Sequence, residues 1–62
     1  MYKLLVKNND KEFEYEHDGK VMTWEEEKDC DVFRLSIEGC YRLIGYELVK
    51  EKKDGNIWVR CV

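Results

Sequence analysis

The chain has 62 residues, of which 44% are hydrophobic and 40% are charged, and its formal net charge is −3. This length predicts a single domain over residues 1–62, whose folding buries only about 60% of the surface of the unfolded chain. The apolar fraction, with two Trp, four Tyr and two Phe, excludes an intrinsically disordered chain.

The charges divide unevenly between the two halves of the chain. Residues 1–31 hold five Lys and ten acidic residues, whereas residues 32–62 hold all three Arg, three Lys and four acidic residues. This distribution predicts a folded molecule with one acidic and one basic surface.

Cysteine usage and hydropathy indicate the compartment. No segment has the length and hydropathy of a membrane span or the pattern of a signal peptide, so we expect no membrane association. Cys30, Cys40 and Cys61 are odd in number and lack C-x-x-C spacing, which favours a reduced, cytoplasmic chain. Together with His17 they lack the paired spacing of a zinc site. We therefore expect no metal and no cofactor.

The first predicted hairpin joins the strands Tyr2–Lys7 and Glu12–His17 through an Asn- and Asp-rich turn at residues 8–11. Closing it at the ends of this turn sets apolar against apolar and basic against acidic residues, and a shift of one residue would lose both matches. The predicted pairs are Val6–Phe13, Leu4–Tyr15 and Lys3–Glu16.

Asp18 and Gly19 have the sequence of a two-residue type I′ turn. They predict a third strand, Lys20–Trp24, which folds back on the second and completes a three-stranded meander. The predicted pairs are Tyr15–Met22 and Phe13–Trp24.

The next segment is acidic and interrupts the alternation. Thr23 and Glu26 have the spacing of a capping box, which predicts a short helical turn near residues 24–29. From Val32 to Glu38 apolar and polar residues alternate, so we predict a strand there, followed by a turn at Gly39.

The last predicted hairpin begins with a strand over residues 41–51, bent by a bulge at Gly45. Residues 52–55, Lys-Lys-Asp-Gly, fit a four-residue hairpin loop. One face of this hairpin is then apolar, and the other carries Trp58 beside Arg60. The predicted pairs are Val49–Trp58, Leu48–Val59, Glu47–Arg60 and Tyr46–Cys61.

These elements predict an all-β fold of five to six short antiparallel strands. Two meanders face each other as a small barrel or a two-layer sandwich, with the short helical turn between them. The alternative is an α+β fold in the order ββ-α-ββ, in which residues 24–38 form a helix.

Two surfaces are candidates for binding a partner. An aromatic residue beside arginine is typical of protein-binding hot spots and of platforms that stack single-stranded nucleic acid. The predicted partner-binding residues, placed on one outer face, are Arg34, Tyr41, Arg42, Val49, Trp58 and Arg60. The acidic segment is the second candidate, for docking a basic partner, although such charge runs are also typical of solvated surfaces. Its residues are Glu25, Glu26, Glu27, Asp29 and Asp31.

The sequence has no G-x-S-x-G, glycine-rich phosphate loop or H-E-x-x-H, so no enzymatic activity is predicted. We predict a protein that acts by occupying the surface of a protein partner. A homodimer is expected because the core is small and a short meander leaves open edges. Two alternatives stay open: a small β-barrel that binds RNA or single-stranded DNA through Trp58, and a dimer whose arginines hold a small phosphate-bearing ligand.

Small acidic chains of one domain, rich in Lys and Tyr and without Ala or Pro, resemble in type the orphan proteins of bacteriophages and mobile elements. Many of those proteins inhibit host enzymes or defence proteins. The resemblance covers no motif and assigns no residue. It implies an inhibitor that acts in the host cytoplasm.

Overall fold

The computed structural model describes residues 1–61, and Val62, the last residue of the predicted domain, lies outside the described residues. Within this range the chain forms seven strands and one helix, α1 (Glu27–Leu43). No helix in this part of the chain is long and apolar enough to cross a membrane. The strands are β1 (Tyr2–Lys7), β2 (Glu12–Glu14), β3 (Glu16–His17), β4 (Lys20–Val21), β5 (Thr23–Trp24), β6 (Glu47–Asp54) and β7 (Ile57–Arg60).

The main sheet is antiparallel, in the order β2-β1-β6-β7, and β5 also pairs with β1. All six residues of β1 pair with β6. Leu4, Leu5 and Val6 of β1 are 0%, 7% and 0% exposed, so the central strand is buried on both faces. This double burial explains why β1 has a continuous apolar run rather than a strict alternation.

The first hairpin, β1–β2, has the predicted register. Val6 lies opposite Phe13, and the N–H of Tyr15 donates to the carbonyl of Leu4 at 2.9 Å. In the turn, the side-chain oxygen of Asn8 accepts two backbone N–H bonds, which is the usual role of Asn in turns.

The second predicted turn is confirmed. Asp18 and Gly19 have φ angles of 54° and 78°, as a type I′ turn requires. The N–H of Met22 donates to the carbonyl of Tyr15 at 3.0 Å, so these two residues meet as predicted. β3 and β4 form a separate two-stranded sheet rather than part of the main one.

The third strand returns to β1, which the sequence did not indicate. Thr23 and Trp24 lie opposite Lys3 and Tyr2. Because β5 takes these places, two predicted pairs are wrong: Lys3–Glu16 and Phe13–Trp24.

Residues 27–43 form one helix, so the predicted strand Val32–Glu38 and the predicted turn at Gly39 are wrong. The predicted helical turn near 24–29 marks the correct region but is too short. The cap at Glu26 makes no side-chain hydrogen bond, so the predicted capping box does not form. The residues that turn towards the sheet recur at helical spacing. They are Cys30, Phe33, Arg34, Ile37 and Tyr41.

The helix ends at a glycine rather than continuing as a bulged strand. The N–H groups of Gly45 and Tyr46 donate to the carbonyls of Arg42 and Tyr41 at 3.1 and 2.9 Å, the two hydrogen bonds of a Schellman motif. Gly45 has a φ of 87°, which this motif requires. The predicted strand over 41–51 is therefore wrong in its first half, since β6 begins at Glu47.

The last hairpin turns at Gly55 and Asn56, not over residues 52–55. Lys52 pairs with Tyr2 of β1, and this pairing extends β6 to Asp54. The predicted pairs Val49–Trp58, Leu48–Val59, Glu47–Arg60 and Tyr46–Cys61 are each wrong by four residues. Four is an even shift, so every side chain keeps its predicted face. The observed pairs are Glu51–Arg60, Lys52–Val59, Lys53–Trp58 and Asp54–Ile57.

The chain is mostly β, with 44% of its residues in strands, one helix and a curled antiparallel half-barrel sheet. The prediction of a mainly β chain is confirmed at this level. The two facing meanders are wrong, because β1 pairs with β6 and joins both hairpins into one sheet. The α1 helix lies over β1, β5 and β6, and the order of elements is nearer to the α+β alternative.

Candidate functional site

The six predicted partner-binding residues do not share one face. Lys50 binds residues of α1, so its side chain points to the face of the sheet that α1 covers. Val49 is next to Lys50 in β6 and therefore points to the other face. Trp58 and Arg60 point to that other face too, because they lie opposite Lys53 and Glu51. The other three lie on α1 because residues 27–43 are helical. They are Arg34, Tyr41 and Arg42. Whether any of the six binds a partner stays a prediction.

The face of the sheet away from α1 holds a buried ion pair beneath Trp58. Lys3 Nζ lies 2.6 Å from Glu14 Oε2 and 3.7 Å from Glu51 Oε1. The same ammonium lies 4.5 Å from the centre of the Trp58 ring, a cation–π distance. Lys3 and Glu51 are each only 8% exposed. The indole of Trp58 therefore covers charges of its own sheet.

Arg60 connects the two edges of the sheet. Its guanidinium contacts a carboxylate oxygen of Glu12 and lies 3.9 Å from Glu51. Glu12 belongs to β2 and Arg60 to β7, which are the opposite edge strands. This contact requires the sheet to curl over this face, so the face is concave and its charges are largely neutralised from within.

On the helix side, Lys50 holds two of the five acidic docking residues. Its Nζ lies 2.8 Å from Asp31 and 2.6 Å from Glu27, and hydrogen bonds to Asp31 and Glu27 raise the pKa of Lys50 above its usual value. These two carboxylates attach α1 to β6 and are not free for docking. The other three acidic residues are exposed and make no ion pair within residues 1–61: Glu25, Glu26 and Asp29.

Stability should fall as the pH rises above about 9. Burial raises the pKa of the Cys30 thiol from 9.0 to about 11. Between these values the unfolded chain has lost the thiol proton while the folded chain keeps it, so the free energy of unfolding decreases. Two further groups continue the decrease in the free energy of unfolding at higher pH. Burial raises the pKa of Tyr41, which contributes above pH 10.0, and the raised pKa of Lys50 contributes above pH 10.5.

Urea unfolding from about pH 8 to about pH 11 measures this effect. A shift of two pKa units corresponds to a full loss of about 3 kcal/mol in the free energy of unfolding, most of which develops by about pH 11. Cys30→Ala should delay the decrease until pH 10.0, where Tyr41 begins to contribute. An unchanged onset at pH 9.0 in this variant would show that Cys30 is not the cause.

Tyr41 belongs to a row of aromatic rings that closes the seam between α1 and the sheet. Neighbouring ring centres are 5.1 to 6.5 Å apart, a normal range for edge-to-face and tilted contacts. The neighbouring pairs are Trp24–Phe33, Phe33–Tyr15, Tyr15–Tyr41, Tyr41–Tyr46 and Tyr46–Phe13. Tyr41 therefore has a structural role in the core, and Arg42 pairs with Glu38 at 3.5 Å on the helix.

The outer edge of β7 has unpaired backbone groups. The N–H of Cys61 donates to the carbonyl of Lys50 at 2.9 Å. Hydrogen-bonded positions alternate along an antiparallel strand, so the N–H and C=O groups of Trp58 and Arg60 point away from β6. No strand in the described part of the chain pairs with this edge.

The side chains of β7 leave this edge unprotected. Sheet edges usually carry lysines, prolines or bulges that prevent pairing with another chain. β7 has the sequence Ile-Trp-Val-Arg, and the charge of its Arg60 is turned over the concave face towards Glu12. Ile57 and Val59 are 62% and 45% exposed. Both residues belong to the apolar face of the predicted hairpin, but α1 lies over β1, β5 and β6 and leaves them uncovered.

Two cavities lie along the end of β7 and have Cys61 in common. The first measures about 320 Å³ and is lined by Lys52, Asp54, Val59, Arg60 and Cys61. The second measures about 260 Å³ and is lined by Arg34, Leu48, Val49, Lys50 and Cys61. Arg34 lines the second cavity, and its Nε is buried with no hydrogen-bond partner within residues 1–61.

Comparisons with known proteins found no match: no family model fits the sequence, and no curated protein or solved structure is significantly similar to it. Within residues 1–61, no group of three or more His, Cys, Asp or Glu side chains is placed to hold a metal ion. The edge of β7 and its two cavities are therefore the candidate site. Four of the six predicted residues border it: Arg34, Val49, Trp58 and Arg60.

Proposed function

We propose that the protein is a non-enzymatic binding protein that recognises an extended segment of a partner protein, which adds to β7 as a further strand. The observation that carries the proposal is a sheet edge with unpaired backbone groups at Trp58 and Arg60, beside exposed Ile57 and Val59. An added strand satisfies those backbone groups and covers the apolar side chains in one step.

The two faces of β7 favour different side chains in the partner segment, since alternate residues of a strand point to opposite faces. On one face the segment meets Ile57 and Val59, which favour apolar residues. On the other it meets Lys53, an exposed cation that lies opposite Trp58 and favours acidic residues. A segment in which apolar and acidic residues alternate fits this edge best.

This function works by occupancy, so its effect on the partner is to block the surface that is bound. Inhibition of a host protein, as the bacteriophage-like composition suggests, is the form that we propose. The ion pairs of Lys3 and Arg60 favour a protein partner over RNA or single-stranded DNA, because their cations are already neutralised and the net charge is −3.

Peptides selected from a displayed random library on the immobilised protein test this function. We expect the selected peptides to bind the double variant Ile57→Lys, Val59→Lys at least tenfold more weakly, because lysine on an edge strand opposes pairing and the two ammonium groups would face apolar side chains of the added strand. Fluorescence anisotropy measures the affinity. Val21→Lys is the matched control, since Val21 is exposed on β4, away from this edge, and should leave the affinity unchanged.

Amide hydrogen exchange locates the bound segment. In the free protein the amides of Trp58 and Arg60 should exchange faster than those of Ile57 and Val59, and a bound peptide should slow them selectively. Selected peptides that bind the double lysine variant equally well, or that leave the exchange of Trp58 and Arg60 unchanged, would refute recognition by strand addition.

A further inference from the structure

The outer face of α1 carries a second apolar stripe, on the side opposite the core. Val32, Leu35 and Leu43 are 63%, 63% and 87% exposed, and Ile44, directly after the helix, is 67% exposed. The three helical residues recur at the spacing of one helix face. Apolar residues that are exposed singly need no explanation, but a continuous stripe marks an interaction surface.

Gly39 lies in the middle of this stripe, and neither its backbone conformation nor a close contact with residues 1–61 requires glycine there. A Cβ at this position would meet no atom within 4 Å, and its φ lies outside the positive range that favours glycine. Glycine weakens the interior of a helix compared with alanine. What glycine does allow here is the close approach of another backbone from outside.

The stripe is symmetric about the point between Ile37 and Glu38. When a second helix runs antiparallel over it, large residues meet small or medium ones, and the smallest residues meet at the centre. The facing pairs, the first residue from one copy and the second from the other, are Val32–Leu43, Leu35–Cys40 and Ser36–Gly39. A face that matches itself in this way fits a two-fold symmetric contact.

The charges at the two ends of the helix also complement each other in this orientation. The first turn is acidic on balance, with Lys28 among its exposed residues, and Arg42, which is 71% exposed beside Glu38, lies in the last turn. Antiparallel pairing brings the acidic end of each helix beside the basic end of the other, and it aligns the helix dipoles favourably. We therefore infer that the occupant of this face is a second copy of the chain, bound through antiparallel α1 helices, and that the edge of β7 stays free.

Sedimentation equilibrium over a range of concentrations tests this contact. The wild-type protein should show twice the chain mass, with a reversible dissociation at low concentration. Leu35→Lys should weaken the dimer at least tenfold, because its ammonium would be buried against the other copy. The control is Val59→Lys, at a position that is also exposed but lies on β7, and its dimer should be unaffected.

Gly39→Leu separates a binding role from a structural one. Leucine favours the helix more than glycine does, and there is open space above Gly39 within one copy, so the monomer should become more resistant to urea. The dimer should nevertheless weaken at least tenfold, because the side chain blocks the close approach. A monomeric wild-type protein at millimolar concentration, or a dimer that Leu35→Lys and Gly39→Leu leave intact, would overturn the inference.

The native Cys40 reports the orientation of the two helices. In the antiparallel register the two Cys40 residues are offset by five residues, about 7.5 Å along the axis, so a short bismaleimide should link them in a Cys61→Ser background. Val32→Cys, with Cys40 and Cys61 changed to Ser, should form no disulfide, because its two cysteines lie about 16 Å apart along the axis. A disulfide at that position indicates parallel helices and contradicts the proposed pairing.

Two variants keep this inference separate from the proposed function. The double variant Ile57→Lys, Val59→Lys should lose peptide binding and remain a dimer. Leu35→Lys should lose the dimer and still bind the selected peptides. If both activities disappear in Leu35→Lys, the two surfaces are not independent and the antiparallel arrangement with a free β7 edge is wrong.

Discussion

Leu4→Ala should leave a large part of the population unfolded at room temperature. Leu4 is 0% exposed on the central strand, and the other fully buried side chains in residues 1–61 are Val6 and Cys30. Truncation of a buried leucine costs about 2–5 kcal/mol, because it loses buried area and leaves a cavity. A chain of this length has a total stability of only about 3–9 kcal/mol. Urea unfolding followed by circular dichroism measures the loss.

Ile57→Ala is the matched control for this prediction. It also removes most of an aliphatic side chain, but Ile57 is 62% exposed on the edge strand, so the expected loss is below about 1 kcal/mol. Equal losses in the two variants would mean that the core is not centred on β1, because the cost of truncation follows burial.

The first hairpin and the turn between β3 and β4 could be predicted from the sequence because the signals that set them are local. The Asn8 turn, the apolar pair Val6–Phe13 and the Asp18-Gly19 turn each act within a few residues. The position of β5 could not be predicted in this way, since Trp24 lies opposite Tyr2 only because the β3–β4 ribbon leaves the sheet and returns.

Alternation predicts a strand over Val32–Glu38, although this segment belongs to α1, because the helix has apolar residues on two faces. Phe33 and Ile37 turn towards the sheet, whereas Leu35 turns outwards and is 63% exposed. Together the three residues alternate with period two, although the spacing of Cys30, Arg34, Ile37 and Tyr41 has the helical period. The outer stripe that we assign to a second copy is therefore the feature that concealed the helix.

The register of the last hairpin depends on a strand that is remote in sequence. Both a loop over residues 52–55 and a turn at Gly55 are consistent with local rules, and Gly55, with a φ of 64°, fits the first position of a type II′ turn. Pairing of Lys52 with Tyr2 decides between them. The faces of Trp58 and Arg60 could still be predicted, because the error is an even number of residues.

The exposed edge of the candidate site could not be predicted from alternation alone. Alternation gives the face on which Ile57 and Val59 lie, but not which part of that face α1 covers. The helix lies over β1, β5 and β6, so an apolar face that looked like core became an exposed edge. Arg34 and Val49 come near this edge through the second cavity. Val49 lies on a strand, as predicted, whereas Arg34 lies on α1 rather than on a strand.

Lys3→Met should destabilise the protein by about 3 kcal/mol, because it leaves the buried carboxylate of Glu51 without the nearer of its two cations and removes the partner of Glu14. The side chains of Lys3 and Glu51 are 10% and 11% exposed. Methionine keeps the length of the lysine stem under Trp58, so the loss reports the charge rather than the packing. The remaining cation near Glu51 is Arg60 at 3.9 Å, which is why we expect the low end of the range for a broken buried pair.

Lys7→Met provides the comparison, since Lys7 and Glu47 form the next pair on the same face of the same two strands, at 3.6 Å. Their side chains are 29% and 64% exposed, and an exposed pair is worth less than about 1 kcal/mol. The loss in Lys7→Met should therefore be smaller than in Lys3→Met.

A double-mutant cycle measures the interaction between Lys3 and Glu51. The loss of stability in the double variant Lys3→Met, Glu51→Leu should be smaller than the sum of the two single losses, and the difference should exceed about 1 kcal/mol, because removing both partners leaves no buried charge. Additive losses would show that the two groups do not interact. The stability of this face would then come from the stacking of Trp58 and from the contact of Arg60 with Glu12 across the two sheet edges.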